Sequence, residues 1–185
     1  LVELAGGEAE RLNRLVEDFL SVSKRPSVVA RPVDVHAIAA EVCEAFGRDP
    51  RYASKVVTRC EGVPTVAPAD PDRLRQALWN LVLNGAQAMP RGGEIVVTVR
   101  EAASHAEGVV GVEIAVEDQG IGISDTDRPR VFDPFYTTRN GGTGLGLLLV
   151  EQVARGHGGH VHVQTGPSHG TAFHLWLPRE APLAS

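Results

Sequence analysis

Gly141-Gly142-Thr143-Gly144-Leu145-Gly146-Leu147 runs directly into Leu148-Leu149-Val150-Glu151-Gln152-Val153-Ala154. Four glycines in six positions ahead of an apolar, helix-like run carry a large backbone-entropy cost. A loop without Cβ atoms can wrap an anion with its N–H groups, and the helix that follows adds the positive end of its dipole. One reading is therefore a phosphate cradle; the other is a flexible hinge before a core helix. Two familiar phosphate motifs do not fit. The P-loop needs a lysine at the helix start, and the only lysines are Lys24 and Lys55. The dinucleotide fingerprint needs a preceding strand, GxGxxG spacing and an acid about 20 residues on. Here an irregular Asp133-Pro134-Phe135-Tyr136-Thr137-Thr138-Arg139-Asn140 precedes the loop, the spacing is GxGxG, and His162 stands near the acid's place.

The chain has 185 residues, 43% of them hydrophobic, which is enough for one compact domain and a short appendage. No apolar run approaches the roughly 18 residues of a membrane span. The net charge of -5 argues against nucleic acid or a membrane surface as main partner. Cys43 and Cys60 lack metal or redox spacing and read as two ordinary thiols in a reducing compartment. The absence of an initial methionine and of a leader gives the chain the look of an excised fragment.

Glu8 to Val22 reads as a helix, with Ala5, Leu12, Leu15, Phe19 and Val22 on a heptad seam that implies a partner helix. Lys24-Arg25-Pro26 stops it. The proline-flanked residues 26–32 read as a linker, so residues 1–25 form an appendage, 33–179 the main domain and 180–185 a tail. A second helix is expected over Val35–Phe46, a strand near Lys55–Cys60 and a loop over Glu61–Ala69. Asp70 can cap the next helix and Pro71 suits its first turn. Along that helix Leu74, Leu78, Leu81 and Val82 make a buried stripe, while Gln76, Asn80, Asn84 and Gln87 make a stripe of carboxamides. Amides are poorer helix formers than Glu, Lys or Arg, so the stripe is either a contact surface or a plain polar face.

Glu94–Arg100 and Val109–Glu117 alternate with period two and read as an antiparallel pair. The second runs into Asp118-Gln119-Gly120-Ile121-Gly122-Ile123, where the aspartate either caps a turn or accepts a hydrogen bond from a ligand. Ser124–Arg139 is irregular, with the aromatic cluster Phe132-Asp133-Pro134-Phe135-Tyr136 as an anchor in a mobile loop. After the glycine loop and its helix come strands Val161–Thr165 and Gly170–Pro178. His160 and His162 share a face, a conceivable metal pair that lacks a third ligand.

The order Gln76-x-x-x-Asn80-Leu81-x-x-Asn84, Asp118-x-Gly120-x-Gly122, Phe132-Asp133-Pro134-Phe135, Gly142-x-Gly144-x-Gly146 and Gly170-Thr171 resembles the ATP-binding catalytic domain of bacterial sensor histidine kinases. These belong to the gyrase–chaperone–kinase–MutL ATPase superfamily. The resemblance covers about Pro32 to Pro178, and Glu8 to Phe19 resembles the second helix of the dimerisation and phosphoacceptor hairpin. It implies an α/β (α+β) two-layer sandwich: a mixed sheet of about five strands, three helices on one face, and an ATP lid between strand and helix. A single N-terminal helix is appended. It implies ATP and Mg²⁺ as cofactors, with Asn84 holding the metal through its amide oxygen and Asn80 lining the same site. Asp118 would accept the adenine amino group, Gly120 and Gly122 would let the base lie flat, and Thr171 would support Asp118 through its hydroxyl. Backbone N–H groups along Gly142, Thr143, Gly144, Leu145 and Gly146 would hold the phosphates, and Arg139 would meet their charge. The implied partners are the acceptor hairpin of the parent kinase and, indirectly, a response-regulator receiver domain. The parent would be a cytoplasmic-facing homodimer and the fragment a monomer.

Three departures from the family pattern stand out. Gly85 replaces the usual alanine, Gln87 stands where many relatives carry a lysine or arginine, and the acceptor histidine with its following acid and Asn-Pro is missing. None of His36, His105, His157, His160, His162, His169 or His174 has that context. Two other classes remain beside the kinase. A hydrolytic ATPase like gyrase or MutL would carry a glutamate at position 80 to activate water, which Asn80 cannot do; a non-catalytic nucleotide switch would keep the binding residues alone.

Overall fold

The computed structural model describes residues 28–104, 109–139, 142–165 and 170–180. The helix expected over Glu8–Val22, the boundary at 25/26, Gly141, His105, His169 and the tail from 181 lie outside them. Strand β1 (Arg31–Asp34) leads into helix α1 (Val35–Gly47), followed by β2 (Val56–Gly62), β3 (Val66–Ala69) and helix α2 (Pro71–Ala88). Then come β4 (Gly93–Ala103), β5 (Val110–Asp118), a single 3₁₀ turn (Arg128–Arg130), α3 (Gly146–Gly156), β6 (His160–Thr165) and β7 (Thr171–Pro178).

Five strands form one mixed sheet in the order β2-β4-β5-β7-β6, with β2 parallel to β4 and every other pairing antiparallel. The alternation seen in the sequence sets its two faces. Ile95, Val97 and Val99 of β4, Val112, Ile114 and Val116 of β5, and Phe173, Leu175 and Leu177 of β7 join one core with the apolar stripes of the three helices. Burying a Leu or Ile side chain of this kind is worth about 1.5–3 kcal/mol. Glu113, His174 and Trp176 point to the other face.

Two short strands were not visible in the sequence. β1 takes up Arg31 and Pro32, the last residues of the stretch expected to be linker, and β3 lies inside the expected loop Glu61–Ala69. They pair antiparallel with Pro32 opposite Pro68. Prolines cannot donate to a ladder, so each hides a strand that only a two-stranded edge pair tolerates. Asp34 closes this corner by capping α1 at Ala37 N–H (3.2 Å) and accepting Thr65 N–H (3.3 Å).

The two cysteines, distant in sequence, lie close together in the fold. Thr58 Oγ1 donates to Cys43 O at 2.8 Å, bringing β2 against α1. The Cys43 and Cys60 thiols come within hydrogen-bonding reach of each other; that contact and then burial push Cys43 far up. Both are free thiols.

Candidate nucleotide site

The site is built on α2. Asp70 accepts N–H bonds from Asp72 (3.1 Å) and Arg73 (3.2 Å), Pro71 occupies the first turn, and the apolar stripe Leu74, Leu78, Leu81, Val82 is buried. That fixes the helix rotation, so the amide stripe faces away from the core. Asn80 Nδ2 donates back to Gln76 O at 3.0 Å, leaving its oxygen directed at the start of α3. A Cβ on Gly146 would stand 2.9 Å from Asn80 Oδ1, so glycine is what lets the two helices meet there. No side chain caps α3. Its first N–H groups and dipole therefore form the kind of helix N-terminus that suits an anion.

The glycine loop reaches α3 by a left-handed turn. Gly144 has φ 68°, and a Cβ there would lie 2.4 Å from the backbone carbon of Phe135. Phe135 N–H donates to Gly144 O at 3.1 Å, tying the loop to the aromatic cluster. Leu145 N–H leans on Thr143 Oγ1 at 3.4 Å. Gly142 N–H is instead taken by Arg139 O at 3.2 Å, inside the lid rather than in the cradle.

Asn84 lies one turn beyond Asn80 on α2. Arg139 crosses from the lid to meet it: Nη1 donates to Asn84 Oδ1 (3.0 Å) and to Gln87 Oε1 (2.7 Å), and Nη2 donates to Asn84 O (3.0 Å). Gln87, read in the sequence as the end of the carboxamide stripe and as a departure from the family pattern, is a direct partner of Arg139. For a metal the donor chemistry fits. A hard cation such as Mg²⁺ takes few protein oxygens and completes its shell with phosphates and water, and Asn84 Oδ1 is such an oxygen.

Asp118 closes β5 at the edge of the same space. Its Oδ1 accepts Gly120 N–H at 2.8 Å, and Thr171 supports the carboxylate through its backbone N–H. Burial raises the carboxyl above its usual range, opposed by those N–H groups and by the charge of Arg139. Gly120 is packed so closely that a Cβ would meet Ala88 Cβ at 2.6 Å, and Gly122 has φ 75°. Gly170 adopts φ 73° with a Cβ position 1.8 Å from Asp118 O, which explains the Gly170-Thr171 pair. A hollow of about 350 Å³ opens beside Asp118 and Thr171 without reaching the amides of α2.

Several residues here escaped the sequence reading. Thr165 Oγ1 accepts Ile123 N–H (2.8 Å) and donates to Gly170 O (3.1 Å), pinning the Asp118 loop to the β6–β7 turn. His157, fully buried, accepts Asp70 N–H on Nε2 (2.9 Å) while its Nδ1 meets Val153 O (2.7 Å), so the end of α3 holds the start of α2. In the lid, Tyr136 O–H donates to Asp127 Oδ1 at 2.6 Å and Arg130 lies over the Tyr136 ring at 4.1 Å. Phe132 meets Phe173 edge-on at 6.4 Å, the core anchor foreseen in the sequence. His160 and His162 do not gather ligands. Their rings stand 6.4 Å apart, stacked on Trp176 and His174 respectively, and no metal-holding group of three or more His, Cys, Asp or Glu occurs among the described residues.

The family model described as "Histidine kinase-, DNA gyrase B-, and HSP90-like ATPase" matches residues 69–181. Sensor histidine kinase ZraS of Escherichia coli K12 is 36% identical over 180 residues, 96% of this chain and 37% of that protein. The chain therefore spans little more than a third of that relative. Among solved structures, a mycobacterial sensor histidine kinase, MprB, superposes with TM-score 0.70 at 29% identity, over 83% of this chain and 100% of that one. Full-length ShkA, solved in complex with AMPPNP, superposes with TM-score 0.77 at 26% identity over 96% of this chain and 38% of that one. The chain belongs to the histidine kinase-, DNA gyrase B- and HSP90-like ATPase family, and it carries the ATP-binding catalytic domain of sensor histidine kinases.

Proposed function

We propose that this chain binds ATP with Mg²⁺ and transfers the γ-phosphate to a histidine on a separate helix hairpin of its parent kinase. One observation carries the proposal. Arg139 binds Asn84 on α2 and stands near enough to Asp118 for its charge to act on that carboxylate, while Asn80 of the same helix meets the uncapped start of α3 at Gly146. In this reading Asp118 accepts the adenine amino group, and Thr171 and Gly120 keep its carboxylate aimed. The amides from Thr143 to Gly146 and the α3 dipole bind the phosphates, Asn84 offers its oxygen to the metal, and Arg139 faces the phosphate charge. When bound, Mg²⁺ neutralises phosphate charge and helps align the γ-phosphate. Phosphoryl transfer asks little more of the protein than position and charge. Asn80 supports transfer over hydrolysis: its Nδ2 is committed to Gln76 O and its oxygen is no base for water.

Four further proposals follow from the family. The immediate partner is the acceptor hairpin, and a receiver domain takes the phosphoryl group afterwards. The parent works as a homodimer, and this domain lies on the cytoplasmic side. Among the described residues no helix is long and apolar enough to cross a membrane. Calorimetric titration with ATP and GTP, with and without Mg²⁺, tests the binding half. ATP is expected to bind with Mg²⁺ dependence that Asn84→Ala removes, and GTP to bind at least tenfold more weakly. Equal affinity for the two nucleotides would contradict the role of Asp118.

A further inference from the structure

Asn84 Oδ1 is claimed twice. In the structure it accepts Arg139 Nη1 at 3.0 Å, and the proposed function gives the same oxygen to a metal ion. A Mg²⁺ ion sits about 2.0–2.1 Å from an oxygen ligand. Two cations that close on one oxygen repel, so metal binding must move the guanidinium off Oδ1. Two other contacts remain to hold Arg139: Gln87 Oε1 at 2.7 Å and the backbone oxygen of Asn84 at 3.0 Å. Gln87 lies three residues further along α2, on the same face and one turn nearer the helix's negative end. Its side chain is exposed and takes no part in the core.

We propose that Gln87 is a positioning residue for phosphate binding: it tethers the lid's Arg139 beside the phosphates while the metal takes Asn84 Oδ1. The chemistry of an amide suits this task. A glutamate there would also hold the guanidinium, but would cancel the charge that the phosphates require. A neutral carbonyl oxygen fixes the direction of the fork and leaves its charge whole. Gln87 thereby couples the C-terminal end of α2 to lid closure without touching the nucleotide. This inference rests on the ATP-binding reading, and its test separates the two.

The test is a double-mutant cycle on the whole chain, with Gln87→Met, Arg139→Met and both together. Methionine keeps the length and helix preference of glutamine and removes the acceptor. ATP and ADP affinities are measured by calorimetry in Mg²⁺, and adenosine affinity by NMR titration. Gln87→Met is expected to weaken ATP and ADP three- to tenfold, to leave adenosine and the melting temperature unchanged, and to add nothing once Arg139 is methionine. The inference is overturned if wild type binds ATP but Gln87→Met binds it equally well, if adenosine weakens in parallel, or if the two effects simply add. A wild type that binds neither ATP nor adenosine overturns the ATP-binding reading itself, and this inference with it.

Discussion

Asp118 ends β5 with its carboxylate buried, and keeping a charge there costs stability. Its pKa is raised, by burial first, so the folded chain resists ionisation that the unfolded chain accepts near pH 3.9. Stability from this group is therefore full below that pH and declines as pH rises through the folded value. Asp118→Asn removes the charge, and its remaining oxygen can still accept Gly120 N–H. The variant is expected to melt no lower than wild type at pH 7, while its ATP affinity falls at least tenfold. Differential scanning calorimetry beside an ATP titration checks both. A clear drop in melting temperature would mean that the carboxylate supports the fold rather than the ligand. That Asp118 leaves a strand among glycines was legible in the sequence, but the residues alone left it between a turn cap and a ligand contact, and only the family resemblance pointed to a ligand. The contacts of Arg139 were not legible, since 52 and 55 residues separate it from Gln87 and Asn84.

At the scale of elements, α2 and α3 bracket the site, and His157 sets their relation. Removing its ring orphans the part-buried Asp70 N–H, while Val153 O keeps the backbone N–H of residue 157. His157→Ala is expected to destabilise the domain by about 1–3 kcal/mol, the penalty for an unsatisfied buried group. Urea unfolding monitored by tryptophan fluorescence measures it, and a loss below about 0.5 kcal/mol would mean the two helices do not depend on this tie. The lid is held differently. Tyr136, then Ser124, donate to Asp127 and hold its carboxyl below the ordinary range, so this tie is intact at neutral pH and lost only as pH falls through the folded Asp127 value. Tyr136→Phe is expected to speed hydrogen exchange over residues 124–139 at pH 7 without affecting β4 or β5. Unchanged exchange would show the lid is held by Phe132 and the Phe135–Gly144 turn alone. Amphipathic spacing exposed α1 and α2 and alternation exposed β4 and β5, whereas α3, β2, β6 and β7 showed as apolar or β-branched runs; β5 and β7 are in fact buried on both faces. β1 and β3 stayed hidden behind Pro32 and Pro68, and the ties of the lid behind side-chain pairs with no spacing rule.

Taken whole, the molecule is an ATP-binding catalytic domain of the sensor histidine kinase kind. Its sheet and three helices hold the α2 amides, the Asp118 carboxylate and residues 142–146 in one domain, while Asn80 provides no base. The proposed function requires phosphoryl transfer to a histidine outside this chain, and one measurement addresses it directly. The chain is incubated with Mg²⁺ and γ-labelled ATP, alone and with the acceptor hairpin of its parent kinase. The expected result is no self-labelling, hydrolysis well under one turnover per minute, and acid-labile, alkali-stable label on the hairpin's histidine that Asn84→Asp reduces. Hydrolysis at several turnovers per minute with an unlabelled hairpin would contradict it and make the chain a hydrolytic ATPase.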